Sequence, residues 1–317
     1  MFNHKIPSRR LAVWVPAALI LPIAARYSGL SWTMVLLTGL ICGIISGSCL
    51  KFCDEQAGGG RWVCLLQLVW IILFLGMIVP YSATCWEDGS AYPAVPLTLL
   101  ALSAFSACSG GEKASRVSAV LILALIPILG LVLCAGANTL EISRMAPSAE
   151  LAFSEVIPLF LLPTVTVFLP RENSKYHLAI PITIAFAATI LALWINASIS
   201  PAMAQTAADP LYEYSKSISL FGITQRFESL VSCGMTLAWF AMVSLVLTAA
   251  GHLAEKIKKG WGSISVWLCA ASAAVAVMYK LPIPTVVYGI LSLIFWGFLP
   301  LLTQGIVLRK KMKKTEK

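Results

Sequence analysis

Between Asp209 and Lys256 the chain reads DPLYEYSKSISLFGITQRFESLVSCGMTLAWFAMVSLVLTAAGHLAEK. The first part is polar, but Leu211, Tyr214, Ile218 and Phe221 recur at helical spacing. That pattern predicts a short helix lying on, or dipping into, one mouth of a larger assembly. Gln225-Arg226-Phe227-Glu228 then sets a charged pair directly before a run from Leu230 to Ala250 that carries no charge. Such a run crosses a bilayer as one helix. Glu255, Lys256, Lys258 and Lys259 return the chain to water.

The rest of the chain follows the same rule. Of 317 residues, 59% are hydrophobic and 12% are charged, against about 25% charged in soluble domains. A core of this size cannot hide so much apolar surface, so the solvent is lipid. The net charge of +9 invites a nucleic-acid partner. The basic residues, however, fall in short loops between apolar runs rather than along one face, which excludes that partner. Most of the nine cysteines lie inside apolar runs, where Cys acts as a small hydrophobe. Cys49 and Cys53 share a helix face, but no His or further Cys lies near enough to complete a metal site. GxSxG, HExxH and GxxxxGK[ST] are all missing, so the reading is not an enzyme, with no cofactor and no metal.

Scanning for apolar runs of about twenty residues predicts a single integral membrane domain over 1–317. Its ten helices fall near 11–28, 31–50, 61–80, 93–110, 116–137, 151–170, 178–200, 228–252, 262–280 and 284–306. The first is read as a span rather than a signal peptide, because a second apolar run follows almost at once. Ten spans place 18 of the 23 basic residues on the side of the termini. The positive-inside rule therefore predicts that both termini are cytoplasmic. The basic tail from Arg309 to Lys317 reads as a topology anchor, or as a patch for a partner or anionic lipid.

Ten helices divide into two halves, 11–137 and 151–306. Each half opens with a helix holding two prolines: Pro16 and Pro22 in the first, Pro158 and Pro163 in the sixth. Paired interruptions at matching positions point to a transporter's central site. A ligand cavity is therefore expected near Val15, Pro16, Ala17 and Ala18, and near Leu159 to Leu162. The third and eighth spans would flank it, and Thr236, Trp239 and Ser244 either line it or serve helix packing. Glu155 is the clearest acid inside the membrane, a cation or proton site or an interfacial residue. Arg226 and Glu228 either anchor the eighth span or latch the external helix over the cavity mouth. Ser103, Ser106 and Ser109, at three-residue spacing, suggest close helix packing.

A proline before a short amphipathic segment, then Arg226-Phe227-Glu228, then a spanning helix holding Trp239 resembles the spore germination permease family. These are the polytopic B-type subunits of nutrient germinant receptors, within the amino-acid/polyamine transporter superfamily. Pro22, Gly29 and Trp32 echo the family's passage from the first helix to the second. Glu155 followed by Leu159 and Pro163 echoes its sixth helix. The resemblance implies a LeuT-type five-plus-five inverted repeat that is all-α and polytopic. It further implies binding of a nutrient such as an amino acid, and assembly with other receptor subunits in a spore inner membrane. One departure stands out. The family's first helix carries Gly near an unwound centre, where this chain has Trp14-Val15-Pro16-Ala17-Ala18, and the sixth span also lacks Gly. Glycine lets backbone approach a ligand closely.

Three roles follow: a sensing receptor subunit, a proton- or sodium-coupled amino-acid transporter, and a scaffold that has lost its ligand. A coupled transporter needs a cation site, and the sequence offers Glu155 with Ser and Thr hydroxyls. That scarcity favours the sensor.

Overall fold

The computed structural model describes residues 5–315 except 28–30, 54–59, 87–92, 146–152, 173–175, 208, 221–222, 225–226 and 280–283; the side chains of some further residues, Glu155 among them, also lie outside the described set. The first half comprises α1 (Ser8–Tyr27), α2 (Trp32–Phe52), α3 (Arg61–Ile78), α4 (Ala94–Cys108) and α5 (Gly111–Ala135). The second half opens with α6 (Phe153–Leu161) and α7 (Ala179–Ser198). Two short helices follow, α8 (Pro201–Thr206) and α9 (Pro210–Ser217), and then a minimal antiparallel pair, β1 (Ser219–Leu220) with β2 (Ile223–Thr224). The chain closes with α10 (Phe227–Ile257), α11 (Gly262–Tyr279), α12 (Thr285–Ser292) and α13 (Leu299–Thr315). A π-helical turn at Leu293–Phe298 joins the last two.

Eight of these stretches are long and apolar enough to cross a membrane, and α4 and Val156–Phe168 are shorter apolar helices. The protein is therefore a multi-pass, all-α membrane protein with about ten spans. The sixth span reaches its length by a change of winding. Nine α-helical residues are followed by a 3₁₀ segment, Leu162–Phe168. At about 1.5 and 2.0 Å per residue these cover roughly 28 Å, close to a hydrocarbon core.

The packing repeats between the halves. α1 packs on α7 as α6 packs on α2, α1 meets α5 as α6 meets α12, and α4 meets α10 as α11 meets α3. The α5–α10 contact is matched across α3 and the last span by rings, with Trp70 stacked on Phe295 at 5.3 Å. This exchange is what a five-plus-five inverted repeat requires.

α10 holds the two halves together. It runs 31 residues and packs against α1, α3, α4, α5 and α11. Its middle is buried on all sides, from Ala241 through Ala250, which explains why its sequence shows no polar face. Ser103 on α4 donates to the Phe240 carbonyl of α10 at 3.4 Å, so the serine ladder serves helix packing here. Glycine allows the closest approach in the α2–α7 contact. A Cβ at Gly39 would lie 2.9 Å from the Ala185 Cβ.

The first span differs from expectation. α1 is continuous through Pro16 and Pro22. A proline removes one donor and kinks a helix, but Ala17-Ala18 and Ala24-Ala25, the best helix formers, carry it past both sites. The sixth span does change at the expected place, yet it tightens at Leu162–Pro163 rather than unwinding.

On the side of the amino terminus, contacts tie the ends together. Ile6 pairs in parallel with Arg171, and its N–H donates to the Pro170 carbonyl at 2.8 Å. Arg171 donates to the carbonyls of Leu50 and Cys53 at the end of α2. Arg10 meets Glu112 at 3.2 Å in the first turn of α5, and Arg116 meets the same carboxylate.

Candidate functional site

The expected central cavity is filled. Val15 and Ala18 on α1, and Leu159 and Leu162 on the sixth span, are buried in one continuous apolar cluster, and Pro16 and Ala17 are half-buried. Trp14, which the sequence did not single out, pins this level shut. Its indole N–H donates to the Ala241 carbonyl of α10 at 3.1 Å and ties the first span to the eighth. Thr236 gives its hydroxyl to the Ser232 carbonyl of its own helix. Ser244 is fully buried, and its Oγ has no partner among the described residues. Ser244 therefore stays in the core and Thr236 serves its helix.

Of the predicted site residues, Trp239 lines a described cavity. It lies four residues, about one turn, beyond Met235 on α10. The cavity is bounded by Pro22, Ala25 and Arg26 of α1, by Tyr81 and Thr84 after α3, by Met235 and Trp239 of α10, and by Asp209 at the start of α9. It measures about 180 Å³ counting its mouth, with about 10 Å³ free inside, the room of one water. Trp239 is 2% exposed, and its indole N–H has no partner among the described residues.

Each polar wall has a local cause. Asp209-Pro210 is a helix start: the carboxylate accepts from the Tyr212 N–H at 3.1 Å and the proline takes the first helical position. Burial pushes the Asp209 carboxyl up to about 6, against the pull of the Tyr212 and Leu211 N–H groups. Arg26, in the last turn of α1, donates to Tyr81 Oη at 3.2 Å and lies 4.1 Å from that ring's centroid. Tyr81 sits in the 3₁₀ turn Val79–Ala83 that ends the third span.

α9 roofs this region as the amphipathic pattern predicts. Leu211, Tyr214 and Ile218 are buried, while Phe221 lies outside the described residues. Tyr214 anchors the roof: its hydroxyl donates to the Val132 carbonyl of α5 and accepts from the Trp194 indole of α7. Gly136, just past α5, is required there, because a Cβ would overlap that hydroxyl.

The expected latch is half visible. Glu228 is half-buried in the first turn of α10, while Arg226 lies outside the described residues. Glu155 falls in the first turn of α6, with its side chain outside the described set. Among the described residues, no group of three His, Cys, Asp or Glu could hold a metal. Sequence reasoning missed Arg26 and Asp209. A signal for each was present: a lone base closing an apolar span, and Asp-Pro opening a helix.

No family model matches the sequence, and no curated protein matches it. Solved structures do. One is Mhp1, a nucleobase-cation-symport-1 family transporter, in a closed conformation with bromovinylhydantoin bound. The match covers 95% of this chain and 78% of that one, with a TM-score of 0.57 at 12% identity. The chain thus shares the fold of that transporter. At this identity the likeness concerns the fold alone.

Proposed function

We propose that this chain is the membrane subunit of a spore nutrient germinant receptor, sensing a small nutrient such as an amino acid and passing the signal to partner receptor subunits. The observation that carries the reading is the contrast between a filled centre, fastened by Trp14 on Ala241, and a polar cleft beneath α9. That arrangement suits recognition at one face more than passage through the molecule. In this reading the cleft faces outward, both termini are cytoplasmic, and the protein resides in the spore inner membrane. The charge asymmetry of the loops supports that orientation.

A second reading is a proton- or sodium-coupled amino-acid transporter. It is favoured by likeness to a symporter fold. Two measurements on the purified chain separate the readings. Thermal stabilisation against a panel of amino acids, nucleosides and sugars tests binding, since a ligand selective for the native state stabilises it. Flux of the binding compound into proteoliposomes then tests transport. Saturable binding without flux is the expected result; ion-dependent uptake replaces the sensor with the transporter.

A further inference from the structure

The last span carries an apolar groove that neither functional reading uses. It runs from the π-helical turn into α13 and is walled by Phe298, Leu301, Leu302, Gly305 and Ile306. About 340 Å³ is free inside it, within the roughly 300–1,000 Å³ of small-molecule sites. The two cavities near α9 hold about 10 Å³ each. Phe298, Leu302 and Ile306 are more than half exposed, whereas Leu301 packs inward on Cys49, Leu50, Cys53 and Val167. Gly305 keeps the groove open: a Cβ there would meet no atom within 4 Å. An unfilled space forfeits the dispersion contacts of its walls, and at membrane depth hydrocarbon is at hand to fill it.

The charge just beyond the groove selects among lipids. α13 continues to Thr315, and residues 309–317 hold Arg309, Lys310, Lys311, Lys313, Lys314 and Lys317 against a single acid, Glu316. Positions 309 and 313 stand seven and eleven residues beyond Leu302, which places them on the face that carries Leu302 and Ile306. At 1.5 Å per residue they lie about 4.5 and 10.5 Å along the axis past Ile306. Apolar groove and basic cluster therefore follow one another on one helix face, in the order of an acyl chain and its headgroup.

We propose that this groove binds one anionic phospholipid from the leaflet on the side of the carboxyl terminus, with an acyl chain along Phe298, Leu302, Gly305 and Ile306 and the phosphate at the level of Arg309 and Lys313. Basic clusters at the end of a span attract anionic lipid, and the groove turns that general attraction into one defined place. A second copy of this chain suits the face less well. Two α13 helices paired through it in one membrane set their bases side by side, and opposed like charges disfavour association. In the last span 33% of residues are buried, against 72% in the α10 span. The lipid thus supplies a neighbour that the chain itself does not, and stabilises the native state by binding it. The site is independent of whether the chain senses or transports.

The test uses the full chain in mild detergent. Phosphatidylglycerol and phosphatidylcholine with the same two oleoyl chains are the probes, and bound lipid is counted by native mass spectrometry. The expected result is one phosphatidylglycerol per chain, bound at least tenfold more tightly than phosphatidylcholine and not displaced by glycerol 3-phosphate. Gly305→Phe fills the groove without changing charge, and is expected to weaken phosphatidylglycerol at least fivefold. Arg309→Gln with Lys313→Gln is expected to bring phosphatidylglycerol to the level of phosphatidylcholine and leave phosphatidylcholine unchanged. Equal binding of the two lipids by the wild type overturns the proposal without reference to any variant. Displacement by glycerol 3-phosphate would reduce the site to a phosphate patch on the tail and overturn the groove. Unchanged phosphatidylglycerol binding in Gly305→Phe does the same. Lipid-free dimers that Gly305→Phe converts to monomers would assign the face to a second copy of the chain instead.

Discussion

Asp209 is a carboxylate placed where its ionised form is disfavoured. Its folded value of about 6 lies above the roughly 3.9 of an unfolded aspartate. Between those values the folded state binds more protons than the unfolded one, so stability falls as pH rises through about 4 to 6. Asp209→Asn removes this dependence. Thermal unfolding of the wild type relative to the variant is expected to worsen across that window by on the order of 3 kcal/mol. A constant difference between the two curves would show that Asp209 does not titrate there. Trp239 is the second residue-scale case. Trp239→Phe keeps the ring and deletes the unpartnered N–H. Little loss of stability is expected and, for the proposed sensor, a weaker nutrient response in germination dose–response curves. An unchanged dose–response removes Trp239 from the site. Of the site, Trp239 was legible in the sequence because a Trp in a spanning helix is conspicuous. Arg26 and Asp209 were not, because each has an ordinary local explanation as a span-end base or a helix cap.

At the scale of elements, the roof depends on Tyr214 and Gly136. Tyr214→Phe loses one donated and one accepted hydrogen bond, a cost of about 1–3 kcal/mol in a buried setting. Gly136→Ala forces α9 away from the end of α5. Both changes are expected to speed hydrogen exchange across 209–218 while leaving α10 protected. Exchange unchanged at 209–218 would mean that the roof is held by other contacts. The first span has its own fastening. Trp14→Phe deletes the bond to Ala241 and is expected to lower stability by about 1 kcal/mol, read by thermal unfolding. The prolines of the first and sixth spans were legible as special positions. Their outcomes were not, because a proline permits a kink, a tightened turn or a break. Neighbours choose among these: Ala17-Ala18 keeps α1 helical, whereas Thr164-Val165-Thr166-Val167 follows Pro163 in 3₁₀ form.

For the whole molecule, the exchange of contacts between halves is the central fact. The interface of α3 with α12 and the π-helical turn is built from Trp70, Phe74, Tyr288, Phe295 and Trp296. Gln67 donates to the Phe295 carbonyl at 2.6 Å and Cys49 to the Gly297 carbonyl at 3.3 Å, where the π-helical turn disturbs the regular ladder. An even number of crossings places both ends of the chain on one side. Reporter tags at each terminus are expected to be protected together in sealed vesicles, with a tag near Lys216 showing the opposite accessibility. Tags at the two termini that report opposite sides would require an odd number of spans.

Hydrophobicity and charge, properties each residue carries alone, settled by sequence that this is a helical membrane protein with about ten spans, and that residues 209–256 combine a surface helix with a central one. Lipid rewards every apolar run independently of its neighbours, so those features can be read without a fold. Which helices meet was decided only by tertiary structure. The same is true of the filled α1–α6 crossing and of the cleft that joins Arg26, Tyr81, Asp209 and Trp239. These residues are separated by up to 213 positions in the chain, from Arg26 to Trp239. Their proximity follows from packing between the two halves, which no local pattern encodes.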